Sequence, residues 1–471
     1  MRYVSTRGEL APLDFVDVML AGLARDGGLY VPETWPSLDR EAIASLAGKP
    51  YAEVALEVMR PFVAGSIADG DLARMAQEAY GTFRHPATAP LVQLGPSLFV
   101  LELFHGPTLA FKDLAMQLVA RLMDHVLLKR SERTTIVVAT SGDTGGAAVE
   151  AFRGRAQVDV VVLFPQGRVS EVQRRMMTTP TDANVHAVAI EGTFDDCQAL
   201  VKAMFNHHAF RDRVRLSGVN SINWARIVAQ AVYYFTAGVA LGAPYRKVAF
   251  TVPTGNFGDV FAGYVASKMG LPIDRLTVAT NVNDILARTF STGTYDIREV
   301  VATTSPSMDI QVSSNFERLL FDAYDRDAHA VRALMGSLAQ SRRFSLSAHA
   351  LKTMRAMFSA GRADEQETAA TIRAWMREAG YCADPHTAVA LAVAEKEARD
   401  PAVPMAVLST AHPAKFPDAV KAACGVTPAL PDWLGDLYAR PERVTVLPAE
   451  QAAVERFVQS ASRAAREGAV A

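Results

Sequence analysis

Three short apolar runs rich in β-branched residues, TTIVVA (134–139), VDVVVLF (158–164) and NVHAVAI (184–190), alternate with helical patterns. The helix SEVQRRMMTT separates the second and third runs, and the helix FDDCQALVKAMFNHH follows the third. Short connections in a βαβαβ succession leave one economical solution, a parallel sheet covered by helices. A second series repeats the pattern: KVAFTVPT (247–254), a glycine-containing turn, the helix DVFAGYVASKMG and the strand LTVATN (276–281). PMAVLST (404–410) adds a late apolar strand. The fold class expected is α/β, with two parallel-sheet lobes.

A chain of 471 residues is too long for one core. Residues 1–90 read as mostly helical, broken by turns at RDGGLYVPETWP and GTFRHPATAP, and are expected to form a unit with its own small core. The division that follows is a helical domain at 1–90, one lobe at 91–235, the other at 236–430 and a helical tail at 431–471. Within it, the helix after TTIVVA is expected to begin near Ala147. Residues 311–400 should be largely helical with a break at 380–385, and the last twenty residues should form a polar, Ala-rich helix.

The formal net charge of −2 gives no electrostatic case for nucleic acid or an anionic membrane, so any anionic ligand must be held by a few placed cations. Cys197, Cys382 and Cys424 stand far apart with no CxxC pair, which argues against structural zinc or a disulfide framework. The opening MRYVSTRGELAP is charged throughout and lacks the apolar centre of a signal peptide. The most apolar stretch, 228–243, contains Gln230 and Thr236 and is too short to span a bilayer. The expectation is a cytoplasmic enzyme with a small-molecule substrate, no metal, and a monomeric or homodimeric state.

Ligands of open parallel sheets bind beyond the carboxyl ends of the strands, and three turns of this chain lie there. In TSGDTGG (140–146), Ser141 and Thr144 offer hydroxyls, and the glycines let backbone N–H groups approach an anion. In PTGNFGD (253–259), Gly255, Asn256, Phe257 and Gly258 could present successive N–H groups to a phosphate, although this is neither a Walker loop nor a dinucleotide fingerprint. LSTAHPAKF (408–416) ends a buried strand, with His412 read as a cap or packed side chain. Each turn has a plainer reading as a tight strand-to-helix connection.

Lys112 closes the apolar run TLAF and opens a strongly periodic helix. A helix N-terminus and burial both disfavour a cation, pushing the amine towards the free base that attacks carbonyls. The alternative is a lysine snorkelling at a helix edge. An activated amine with two phosphate-ready turns suggests an aldehyde cofactor bearing a phosphate, and pyridoxal 5'-phosphate fits.

HGPTLAFKD, SGDTGGAA, EGTFDDCQ, VNSINWARI, PTGNFGD, SPSMDIQVSSNFERLLF and TAHPAKF, in this order, resemble the threonine synthases. The resemblance is to the longer form, whose helical N-terminal extension opens with Tyr-x-Ser-Thr-Arg-Gly, here Tyr3 to Gly8. It implies the tryptophan-synthase-β-like fold of pyridoxal phosphate enzymes. It also implies conversion of O-phospho-L-homoserine and water to L-threonine and phosphate. By the same resemblance Lys112 would form the Schiff base with the cofactor. Gly255, Asn256, Phe257 and Gly258 would hold the cofactor phosphate, and Thr410 would face the pyridine nitrogen. Ser141, Gly142 and Thr144 would bind the substrate carboxylate. Asn220, Ser221, Asn223 and Arg226 would hold its phosphate, though Asn220–Asn223 also reads as a turn capping the helix from Trp224. Asp143 stands where many relatives of the wider fold place Asn against the cofactor's ring hydroxyl. A carboxylate there repels a phenolate unless one of the two is protonated, and its role stays open. SPSMDIQVSSNFERL identifies the family without suggesting a physical role.

The rival within the class is a serine/threonine dehydratase-type lyase, which shares the lysine and cup but needs no arginine for a substrate phosphate. Outside it, the glycine turns could belong to a nucleotide-binding or catalytically silent protein.

Overall fold

The computed structural model describes residues 1–398 and 400–467. Two sheets organise the chain. The larger has six strands in the order Phe358–Arg362, Ile273–Thr280, Val248–Pro253, Met405–Ser409, Leu98–Glu102 and Leu91–Gly95. All its pairings are parallel except the last, a hairpin. The smaller has five strands, all parallel, in the order Thr445–Pro448, Val185–Glu191, Val158–Pro165, Thr134–Ala139 and Leu216–Ser217. Val158–Pro165 and Val248–Pro253 are buried at every residue, which is why their apolar runs are continuous rather than alternating.

Strand membership crosses the divisions read from the sequence. Residues 91–102, assigned to the first lobe, lie in the sheet of the second. The hairpin connection makes Leu98–Glu102 a neighbour of Met405–Ser409, three hundred residues on, and that long-range parallel pairing leaves no local signal. Thr445–Pro448, within the tail expected to be helical, pairs with Val185–Glu191. The tail then forms the helices Gln451–Ala461 and Arg463–Glu467, divided at Ser462; the expected helix beyond 467 lies outside the described residues. Between 311 and 400 the structure adds the strands Arg343–Ser345 and Phe358–Arg362 to the helices.

Residues 1–90 do not enclose a core of their own. Tyr3, Phe62 and the helices Tyr51–Val63 and Asp69–Tyr80 belong to one continuous hydrophobic cluster with Leu114–Leu127, Trp224–Phe235 and Val248–Val252. Trp224 is the pivot: its ring lies 5.9 Å from those of Tyr3 and Phe62 and 6.2 Å from Trp35. The N-terminal segment therefore completes the main core.

The helix expected from Ala147 begins four residues earlier, spanning Asp143–Phe152. Its two inner glycines read as a turn, but helix packing explains Gly145. A Cβ there would approach Met177 Sδ and Thr140 Cγ2 to 2.5 Å, so glycine lets the helix sit against the sheet.

Candidate active site

A cavity of about 1020 Å³ opens where the carboxyl ends of both sheets converge. Lys112 projects into it from the first residue of the helix Lys112–Arg130. The approach to that helix is fixed by the backbone. Phe111 N–H donates to Thr410 C=O at 2.9 Å, and His412 N–H donates to Leu109 C=O at 3.0 Å. Leu109 itself is held at φ +59°. Asp113, in the helix's first turn, accepts from Thr108 N–H and Oγ1 at 2.7 and 2.6 Å and pins the incoming loop.

Lys112 is 8% exposed. Its Nζ lies 3.1 Å from Asp143 Oδ2 and 3.4 Å from Ser307 Oγ. Burial pushes the ammonium below the ordinary lysine range; Asp143 opposes this, while Lys415 and Arg226 add to it. Burial alone would raise the Asp143 carboxyl, but Lys112 and Lys415 overcome it and hold it well below the usual range. Asp143 is thus an anion between two lysines, with Gln173 Nε2 also donating to Oδ1 at 2.9 Å.

The turn at 140–146 is closed by Thr140, whose Oγ1 accepts from the N–H groups of Gly142 and Gly145, each at 2.9 Å. Ser141, Asp143 and Thr144 line the cavity; Gly142 does not. Its N–H is committed to Thr140, and at φ +137° its missing Cβ would stand 2.4 Å from Gln173 Cδ. Gly142 therefore shapes the turn and brings Gln173 to Asp143, in place of the expected ligand contact.

Gly255, Asn256, Phe257 and Gly258 all line the cavity, leading into the helix Gly258–Lys268. Among the described residues their N–H groups have no protein acceptor, because Phe257 adopts φ +63° and the carbonyls are engaged from behind. Ser313 Oγ donates to Gly255 C=O at 2.7 Å, and Asn315 Nδ2 to the carbonyls of Asn256 and Ser221 at 3.0 and 3.2 Å. The Phe257 ring packs on Phe316 and Phe358, so this residue offers only its backbone. Such a ring of free N–H groups at a helix N-terminus forms a cup whose geometry can hold a phosphate.

Asn220, Ser221 and Arg226 also reach the cavity wall. Arg226 is 2% exposed; Nη1 donates to Val219 C=O at 2.9 Å, and Nε has no partner among the described residues. Burial lowers its pKa to about 10, which still leaves a cation at neutral pH. Asn220 Oδ1 is likewise buried without a partner. Asn223 does not line the cavity. Its Oδ1 caps the helix Trp224–Ala240 by accepting from Ala225 N–H, and its Nδ2 donates to Met19 and Gly218 carbonyls at 2.9 and 3.0 Å. Of the two readings of Asn223, which are compatible, the structure shows the cap. Thr410 lies on the wall at the end of its strand, and His412 Nδ1 accepts from Ala414 N–H as a turn cap.

Several site residues carried no assignment from the sequence. Lys415 is the chief one, and the cue that marked Lys112, a lysine in an apolar setting (HPAKF), would have found it. His386 donates from Nδ1 to Asp384 Oδ2 at 2.7 Å and accepts at Nε2 from Ser307 N–H at 3.2 Å. The segment SPSMDIQVSSNFERL now has a physical role: Ser307 meets Lys112, Ser313 and Asn315 brace the cup, and Arg318 lies 5.5 Å over Trp224. Glu317 Oε1 accepts from Thr6 Oγ1 at 2.6 Å and Arg7 Nε at 3.2 Å, joining the segment to Tyr3–Gly8.

Unclaimed cup N–H groups, a buried amine and an orphaned guanidinium fit pyridoxal 5'-phosphate and an anionic substrate. Residues 82–363, more than half the chain, match the family model described as pyridoxal-phosphate dependent enzyme. The class is a pyridoxal-phosphate-dependent lyase with two parallel sheets flanking the cofactor site. Residues 2–80 match the threonine synthase N terminus, and 387–458 the threonine synthase C-terminal model. The threonine synthase of Pseudomonas aeruginosa is 56% identical over 459 residues, covering 97% of this chain and 98% of its own. A pyridoxal-phosphate-bound crystal structure of the Brucella melitensis threonine synthase is 62% identical with TM-score 0.95, covering 98% of this chain and all of that one. The yeast threonine synthase structure is 38% identical with TM-score 0.92, covering 99% of each. The chain belongs to the threonine synthase family, and the dehydratase alternative is not favoured. Among the described residues no helix is long and apolar enough to cross a membrane.

Proposed function

We propose that this chain converts O-phospho-L-homoserine and water to L-threonine and phosphate, the last step of threonine formation. Arg226 carries the reading: a buried guanidinium, anchored to Val219 C=O through Nη1 and with its Nε unpartnered among the described residues, lies on the wall of the Lys112 cavity and suits a phosphate dianion. In this reading the N–H groups of Gly255, Asn256, Phe257 and Gly258 hold the cofactor phosphate, and Thr410 faces the pyridine nitrogen. Ser141 and Thr144 hold the substrate carboxylate; Asn220, Ser221 and Arg226 hold its phosphate. When bound, pyridoxal phosphate supplies the electron sink that makes Cα and Cβ protons removable. Lys112 would hold the cofactor through its amine and would move protons at Cα and Cβ of the substrate. Arg226 keeps the phosphate in place as it leaves Cγ and water adds at Cβ.

The free cysteines also support a cytoplasmic location, and a monomer or homodimer is the assembly we infer. The decisive experiment supplies the purified holoenzyme with O-phospho-L-homoserine. Equimolar threonine and phosphate support the proposal; ammonia release from threonine with no attack on phosphohomoserine refutes it.

A further inference from the structure

Lys415 is 1% exposed, on the turn Pro413–Lys415 that follows the strand Met405–Ser409. Its Nζ lies 2.6 Å from Asp143 Oδ1 and donates to Thr108 C=O at 2.8 Å. A lysine this deep loses its hydration entirely, and a hydrocarbon side chain would fill the same space at less cost. Its geometry shows what it does: it occupies one oxygen of the carboxylate whose other oxygen meets Lys112.

We propose that Lys415 is a positioning residue that balances the charge of Asp143, so that Asp143 Oδ2 can hold the Lys112 amine without fixing a proton on it. Unbalanced, a buried carboxylate at 3.1 Å would keep Lys112 an ammonium, unable to capture an aldehyde or take a substrate proton. Balanced, it aims the amine without a net negative charge to hold the proton there. Among the described residues, the other charged or titratable groups facing this cluster are Arg226 from the helix Trp224–Ala240, Asp259 from Gly258–Lys268, His386 from Pro385–Lys396, Asp113 from Lys112–Arg130, which shares Thr108 with Lys415, and His412 from the turn that carries Lys415. Arg226 acts in the same direction as Lys415, but without touching Asp143. The pairing also answers the difficulty of an acid at position 143. Paired with Lys415, it presents no net charge to a ring oxygen.

The inference rests on Lys112 being the cofactor-bearing amine, and the test separates the two. The full chain is stripped of cofactor, and the rate of pyridoxal phosphate capture is followed against pH by its visible absorbance. Borohydride fixation and peptide mass spectrometry then identify the modified lysine. Lys415→Gln keeps a polar side chain but no charge, and should move the capture midpoint up by at least about one pH unit, slowing capture about tenfold below it. Asp143→Asn should move it down, and the double variant Asp143→Asn/Lys415→Gln should stay close to Asp143→Asn alone, because Lys415 acts through Asp143; a full additional upward shift in the double variant would mean that Lys415 acts on Lys112 directly. A midpoint unchanged in Lys415→Gln, or unchanged in Asp143→Asn should Lys415→Gln not fold, overturns the charge-balancing role. Capture at a lysine other than Lys112 instead overturns the assignment beneath it.

Discussion

Replacing Arg226 by methionine should weaken phosphate recognition by about one to two orders of magnitude while leaving the fold intact, and the two halves of that statement have separate magnitudes. Burial lowers the Arg226 pKa from 12.5 to about 10, which corresponds to on the order of 3 kcal/mol of uncompensated desolvation in the folded state. Removing the side chain recovers that cost but strands the Val219 carbonyl, a loss of about 1–3 kcal/mol. The net change in stability should be close to zero. Binding behaves differently, because a charge-assisted hydrogen bond contributes about 1.5–3 kcal/mol, so kcat/KM for phosphohomoserine should fall about tenfold to about 150-fold. Inorganic phosphate gives a second reading. With the cofactor in its cup, phosphate at about a hundred times its Kd stabilises the parent by ~2.7 kcal/mol. For 471 residues at about 2.1 cal/mol/K each, that is a Tm rise of about 3 °C. Thermal scans of both holoenzymes with and without phosphate provide the comparison. An equal rise in Arg226→Met would refute the reasoning, since the anion would then be held elsewhere.

Lys112→Ala should retain the fold and lose covalent cofactor and nearly all turnover, as general acid–base work alone contributes ~10²–10⁴ in rate; borohydride fixation and a threonine assay check both. Gly255→Ala drives a Cβ to 2.5 Å from Ser307 C=O, so the cup or the 305–308 loop must shift. Cofactor affinity should drop at least about tenfold, with about 1–3 kcal/mol of stability, by equilibrium dialysis and urea unfolding. Thr410→Ser should stay nearly normal in product analysis, whereas Thr410→Asp should hold the pyridine nitrogen protonated and divert product to racemised and transaminated species; clean threonine from the Asp variant would remove Thr410 from the nitrogen. Burial raises both Asp259 and Asp113 from 3.8 to about 6. The folded state then holds the extra protons, so stability falls as pH climbs from about 4 to about 6, and Asp259→Asn should remove about half of that slope in urea midpoints.

What the sequence made legible was what neighbours in the chain decide. The cup at Gly255–Gly258 and the lysine at a helix start are local patterns, and the fully buried strands announce themselves by continuous apolar runs. Lys415, Gln173 and His386 were silent because their meaning comes from a partner far away in the chain, Asp143 for the first two and Ser307 for the third. The same holds for Asn223, whose type and position suited either a ligand or a cap until Met19 and Gly218 supplied its acceptors. Strands such as Tyr3–Ser5 and Thr445–Pro448, of three and four residues, are too short to show a period. The merging of residues 1–90 into the main core was hidden for another reason: an amphipathic helix reports that it has a buried face, never what covers it.

The short backbone bridge between Leu109–Phe111 and Thr410–His412 has a bearing on how such a site endures change. Lys112 and Thr410 are tied by peptide groups, which every residue except proline supplies, so drift among the side chains beneath them cannot alter their spacing. Ser141 and Thr144 follow a strand of the other sheet, and their distance from Lys112 is set by whatever side chains pack between the two. Substitution in the packing between the sheets is therefore free to move Ser141 and Thr144, where we place the substrate's carboxylate, while the span from amine to strand end is held by the backbone.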